Sequence, residues 1–245
     1  MNIDQGRRYV LRGAPGRAGA HAMSAPSPVD GEVRRTALPD TFDGIRFQIG
    51  RMVKYVQDAR KDSLVIDTAR LAAVHYAKFV EEMSAREGNP ISAHNNKTIM
   101  LEGIDIWCRH HFCYVNDPPN VEVIQTPRRM AKATRMAREV LAHIMEPFYA
   151  AMEEAEPSFY RGSYSPPPAY IGDCDEAVCL MLSMCCCLDI TPVRFRFGGN
   201  DGTLHHVWGR VWADGNWYDS DLTEPGYKLG DVSTFEAYEE VEVPL

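Results

Sequence analysis

A chain of 245 residues with 45% hydrophobic and 24% charged residues has the composition of an ordinary globular protein, long enough for one large domain or two small ones. A net charge of -8 opposes attraction to nucleic acid or anionic lipid, and no run approaches the roughly 18 to 20 apolar residues of a membrane span. Seven cysteines, three of them consecutive at Cys185, Cys186 and Cys187, suit no disulfide framework and point to a reducing, cytoplasmic site of synthesis.

Charge is uneven along the chain: residues 1–36 carry a net +3, which leaves -11 for the remainder. Residues 1–40 are rich in Gly, Ala, Pro, Ser and Arg without apolar periodicity, which predicts a disordered leader. Met1 and Met23 are both candidate starts. From Phe42 the period becomes helical, with Ile45, Ile49, Met52, Val53 and Val56 on one stripe and Leu71, Val74, His75, Phe79 and Val80 on the next. Gly88, Asn89 and Pro90 break the run, and a third helix is expected from about Thr98 to Cys113.

A further helix is predicted over Arg128–Glu156, with Met136, Val140, Ile144 and Phe148 at intervals of four and a kink at Pro147. A loop loaded with Pro166, Pro167 and Pro168 follows. The next helix, about Cys174–Leu188, is apolar or cysteine at nearly every position after Glu176 and is therefore expected to be buried. The period then changes to two: Val193, Phe195 and Phe197 alternate with arginines, and His206–Trp212 reads as a second strand. Asp214-Gly215 between HVWGRVW and NWYDSD predicts a type I′ hairpin. Helices followed by strands imply an α+β fold: a helical N-terminal layer, a buried helix carrying a cysteine at its N-terminus, and an antiparallel sheet in the last third.

The chemistry concentrates at Tyr170-Ile171-Gly172-Asp173-Cys174-Asp175-Glu176-Ala177, a loop that delivers Cys174 to the first turn of the buried helix. Free N–H groups and the positive end of the helix dipole favour thiolate there, whereas Asp173 and Asp175 oppose it and act by default as helix-start acids. Gly172 would let the chain turn tightly. A nucleophile needs a base, and the base an orienting partner. With Asp214-Gly215 as the turn, Trp208 lies opposite Asp221 and Arg210 opposite Asp219, so His206, Trp208, Arg210, Asp219 and Asp221 share one face. His206 is diagonal to Asp221, about 7 to 8 Å between backbones, a gap two side chains can bridge. Asp219 is one step farther from His206 and reads as the ion partner of Arg210. Cys174, His206 and Asp221 thus form a candidate triad.

Other residues have plainer readings. Cys179 and the Cys185–Cys187 run suit core packing, and His205 points to the opposite face from His206. Cys108, His110, His111 and Cys113 do not gather on one helical face as a metal site requires. Trp208, Trp212 and Trp217 either line a cleft or pack across the hairpin.

These motifs resemble, in order, those of the transglutaminase-like superfamily of papain-type cysteine enzymes. GDCDEA is similar to its nucleophile motif, His206-Val207-Trp208 to its histidine strand, and Trp217 through Asp221 to Thr223 to its W-x-x-x-D-x-T aspartate strand. The likeness is closest to transglutaminase-like proteins of tailed bacteriophages and prophages, whose nucleophile segment is of the same GDCD type. Trp107 through Tyr114 to Asp117-Pro118, and Glu122 through Gln125 to Pro127, resemble their upstream helix and connecting segment. The likeness spans residues 42–227 and departs from the family in a long insertion, about 128–168, whose role as lid, docking element or packing device stays open.

The resemblance implies one domain over residues 41–245 with a papain-like core. It implies a peptidase, deamidase or amide acyltransferase working through a thioester, with no cofactor or metal. Cys174 would attack, His206 would shuttle protons and Asp221 would fix the imidazole tautomer. The Cys174 backbone N–H is the natural first oxyanion donor, with Tyr170 or Gln125 as the second and Trp208 near the substrate. Implied partners are a protein or peptide substrate and phage structural proteins, in the bacterial cytoplasm or on the virion. The rival reading is an inactive scaffold of virion assembly that keeps the fold.

Overall fold

The computed structural model describes residues 8–9, 33–36, 42–114, 122–134, 170–200, 204–224, 226–231, 234–235 and 237–245. Helices lead and the main antiparallel strands follow, so the fold is α+β, as the change of hydrophobic period predicts. Within the segment read as a leader, β1 (Arg8–Tyr9) is a strand paired with residues 238–239 and β2 (Val33–Thr36) is a strand paired with residues 122–125.

Helix α1 (Phe42–Ala59) buries Ile49, Met52 and Val56 of its expected stripe. Helix α2 (Ser63–Arg86) starts at Asp62, whose carboxylate accepts the Leu64 and Val65 N–H groups and so satisfies two donors that the helix cannot. Its buried face corrects the sequence expectation. Val65, Ala69, Ala72, Ala73 and Ala77 point inward, whereas Val74, His75 and Phe79 are exposed. The large residues suggested one face, but close helix crossings select small side chains on another.

Helix α3 (Lys97–His111) is capped by Asn96, which accepts from Ile99 N at 2.9 Å. It ends two residues before the expected Cys113 and passes directly into β3 (Phe112–Tyr114). Strand β4 (Glu122–Gln125) pairs antiparallel with β2 and leads into α4 (residues 127–134). The rest of the predicted Arg128–Glu156 helix and the proline-rich loop lie outside the described residues. Strand β5 (Tyr170–Gly172) runs parallel to β3, with Phe112 opposite Tyr170 and Tyr114 opposite Gly172. This pairing fixes the end of α3 beside the chain that delivers the cysteine.

Helix α5 (Cys174–Cys187) is the centre of the molecule, packed by α1, α2 and α3 and by β6 (Val193–Gly199) and β7 (His206–Ala213). Leu180, Met181, Leu182 and Met184 are wholly buried, as a helix apolar all round requires. Cys179, Cys185 and Cys186 are buried with them, which gives these cysteines a packing role.

Strands β8 (Asn216–Ser220) and β9 (Ala237–Glu242) complete a five-stranded sheet of order β1-β9-β6-β7-β8, antiparallel except for the β1–β9 pair. Asp214 and Gly215 have φ of 45° and 90°, the left-handed pair of a type I′ turn. The register is the expected one, with Ala213 opposite Asn216 and Arg210 opposite Asp219. Among the described residues, no helix is long and apolar enough to cross a membrane.

Candidate active site

The nucleophile loop is held by a capping box at the start of α5. Asp173 accepts from Asp175 N at 3.0 Å, while Glu176 Oε2 accepts from Asp173 N at 2.9 Å. Glu176 also reaches sideways: its Oε1 accepts from Gln125 N at 3.1 Å and ties β4 to the cysteine helix. The backbone of Gly172 is not left-handed, which corrects the tight-turn reading of that residue. A Cβ on Gly172 would lie 2.7 to 2.9 Å from Glu176 atoms, so glycine is needed there to seat the Glu176 carboxyl. Glu176 is 1% exposed, and burial, with Asp173 and Asp175 close by, pushes its pKa up to about 10.

Cys174 stands on the first turn of α5 with a partly buried side chain. Its thiol donates to Asp175 Oδ1 at 3.8 Å, and Asp175 Oδ2 in turn accepts from Gln48 of α1. Burial and the negative charges of Asp175 and Asp173 hold the Cys174 thiol well above its ordinary pKa. The backbone N–H groups of Val207 and of Cys174 itself offset part of that shift. Its surroundings therefore favour the thiol over the thiolate. Asp173, Cys174 and Asp175 present ligand atoms within 4.8 Å of one another, a proximity that follows from their adjacency on one helical turn.

The candidate base begins the hairpin strand β7. His206 Nε2 and Asp221 Oδ2 are 2.7 Å apart, and Asp221 is 1% exposed. A carboxylate only accepts, so it places the imidazole proton on Nε2 and leaves Nδ1 as the basic nitrogen. Asp221 Oδ1 accepts from the Thr223 N–H at 3.3 Å and from its hydroxyl at 3.2 Å, which fixes the carboxylate plane. The strand that begins at His206 packs against the helix that begins at Cys174, which places both candidate residues at the contact of β7 and α5.

The structure separates Asp219 from this role, as the register argument anticipates. Both Asp219 oxygens accept from Arg196 Nη1 at 3.0 Å, a closer engagement than the 3.8 Å contact with the expected partner Arg210. Arg210 pairs mainly with Glu240, at 2.8 Å. Trp208 is 2% exposed and gives its indole N–H to Asp219 Oδ1, which makes it a packed platform rather than a substrate contact. Trp212 and Trp217 pack edge to face across the hairpin, with ring centroids 5.4 Å apart. Gln125 is brought to the nucleophile helix by its backbone, but its side-chain oxygen accepts from Arg129 at 3.2 Å. The backbone of Tyr170 sits in β5; its side chain lies outside the described residues. His205 is exposed and precedes β7, and its ring meets Phe235 edge-on at 5.7 Å.

Four contributors escape sequence reading. The D-x-x-E spacing of Asp173 and Glu176 carries a capping-box signal that marks Glu176. Gln48, Asp105 and Phe235 carry none. Asp105 of α3 accepts from the Ser220 hydroxyl and, at 2.8 and 3.2 Å, from Arg109, thereby anchoring the residue next to Asp221. Phe235 lies against both His206 and Trp208. Comparison of the chain with protein-family models, with curated proteins and with solved structures finds no match.

Proposed function

We propose that the protein is a cysteine enzyme of the transglutaminase-like type with a papain-like core, cleaving or transferring amide or peptide bonds. The observation that carries this reading is the part-buried His206–Asp221 pair at 2.7 Å, beginning on the strand β7 that packs against the helix carrying Cys174. Asp221 orients the imidazole, His206 Nδ1 accepts the thiol proton as sulfur attacks a carbonyl, and the same proton passes to the leaving amine. A thioester on Cys174 results; water then gives hydrolysis or deamidation, and an amine gives transfer. Because the resting thiol is kept protonated, proton removal accompanies attack, as it does for a serine nucleophile, instead of preceding it.

Protein or peptide amides are the substrate class, and phage structural proteins in a bacterial cytoplasm or virion are the natural setting for a chain with these motifs. The test is release of ammonia or of a peptide fragment from unstructured protein substrates. Turnover should vanish in Cys174→Ala with the melting temperature nearly unchanged; persistent turnover in that variant overturns the reading. Incorporation of a primary amine distinguishes transfer from hydrolysis.

A second reading, an inactive scaffold of virion assembly, is favoured by one observation: the thiol donates to Asp175 and lies among acids that oppose its ionisation. Turnover or acylation at Cys174 would exclude it.

A further inference from the structure

The base of the proposed triad is gripped from a side the hairpin does not supply. Phe235 lies beyond β8 in sequence, between that strand and β9. Its ring centroid is 5.5 Å from His206 and 5.4 Å from Trp208, and 5.7 Å from His205 in an edge contact. Trp208 makes a firm platform for it: its N–H is given to Asp219, and the Arg196 guanidinium lies 5.2 Å from its ring centroid. The imidazole of His206 stacks on the same indole at 5.9 Å. Phe235 and Trp208 therefore bound the ring while Asp221 holds Nε2.

Room for this arrangement comes from Gly198, which lies opposite His206 on the neighbouring strand. A Cβ there would come within 2.5 Å of Phe235 Cδ2 and 2.7 Å of Trp208 Cζ3. A chain that needed Gly198 only as a strand residue would tolerate alanine; this one excludes any side chain because two rings occupy the space.

We propose that Phe235 is a positioning residue that holds the His206 imidazole in the orientation set by Asp221, with Gly198 keeping its place clear. The role rests on the cysteine-enzyme reading, since an imidazole that accepts a proton from Cys174 must present Nδ1 in one orientation. An aromatic neighbour lowers the rotational freedom of the ring without touching the reacting atoms.

The experiment compares wild type with Phe235→Leu, Phe235→Tyr, Gly198→Ala and His206→Ala. Cys174 alkylation by iodoacetamide is followed by peptide mapping, and the His206 ring nitrogens, whose shifts report the tautomer set by Asp221 and are little moved by the loss of a neighbouring ring current, are followed by NMR after isotope labelling of histidine. Phe235→Leu and Gly198→Ala should slow alkylation about two- to tenfold, the worth of one aromatic pair, and should displace the His206 ring-nitrogen shifts. Phe235→Tyr, which keeps the ring, should restore both readouts. Wild-type alkylation rates and unmoved His206 shifts in Phe235→Leu would overturn the proposal.

The two readouts separate the layers of the argument. If His206→Ala alkylates as wild type does, the enzyme reading fails. The NMR shifts then still decide whether Phe235 holds the ring: displacement in Phe235→Leu supports it, and unmoved shifts reject it. Should Phe235→Leu fail to fold, Gly198→Ala tests the same contact from the opposite strand.

Discussion

Replacing Asp175 with asparagine removes a negative charge 3.8 Å from the Cys174 sulfur while leaving the Asp173 cap of α5 intact. At an effective dielectric of about 20, two unit charges at this separation interact by about 4 kcal/mol. The Gln48 hydrogen bond to Asp175 already delocalises part of that charge, so the full figure is an upper bound. A third of it is still about a tenfold gain in thiolate population. Since Asp175 is, after burial, the largest contributor holding the thiol up, Asp175→Asn should move the Cys174 ionisation downward in pH. Iodoacetamide labelling across pH 5 to 10, mapped to the Cys174 peptide, reads this directly. The variant should label Cys174 at least about tenfold faster at pH 7, with Cys185, whose thiol is raised by burial and by groups other than Asp175, unchanged as an internal control. An unchanged profile, or one moved to higher pH, would refute the assignment of Asp175 as the group that suppresses the thiolate.

Other substitutions report on the surrounding frame. Glu176, pushed up to about 10, keeps in the folded state a proton that the unfolded chain releases near the ordinary carboxylate range. Its contribution to stability is therefore present at acid pH and is lost as pH rises from about 4.5 towards about 10. Glu176→Gln should gain in melting temperature relative to wild type as pH is raised from 5 to 9, and parallel curves would reject the assignment. The thiols of Cys186 and Cys187 are raised by burial to about 12, so the stability they contribute is complete below the unfolded thiol pKa and falls above it. The melting temperature should drop between pH 8.5 and 11, less steeply in a Cys186→Ala, Cys187→Ala double variant; equal slopes would contradict this. Asp105→Asn weakens the charge-assisted bonds to Ser220 and Arg109 and should cost about 1–3 kcal/mol in urea unfolding. A change below about 0.5 kcal/mol would show that α3 does not anchor β8 through this residue.

The parts of the molecule readable from sequence are those set by short-range rules. Asp214-Gly215 selects one hairpin turn, the turn fixes the register, and the period of two then places His206 diagonal to Asp221 and distinguishes it from Asp219. The continuous apolar run after Glu176 likewise reveals a central helix, because only a fully surrounded helix can bury every side. On α2 the same reasoning chose the wrong face. Val74 and Phe79 are exposed, while alanines fill the close contact with neighbouring helices. Periodicity weights residues by hydrophobicity and takes no account of how near the next helix comes.

Long-range contacts left no local trace. Gln48 meets Asp175 across 127 positions, and Asp105 meets Ser220 across 115. Phe235 sits in no regular element, so no pattern marks its approach to His206. The suppressed thiolate is an intermediate case: the acids beside Cys174 were visible in sequence, but their net effect depended on burial that only the packed structure supplies.

The central claim is that Cys174 forms an acyl-enzyme with His206 as its base. The most direct test is acid quenching of the protein after incubation with glutamine-containing and unmodified peptides, followed by peptide mapping for a thioester. The account predicts an acyl adduct confined to Cys174, absent in Cys174→Ala and strongly reduced in both His206→Ala and Asp221→Asn. Adducts on other cysteines, or an adduct on Cys174 that forms equally well without His206, would contradict it.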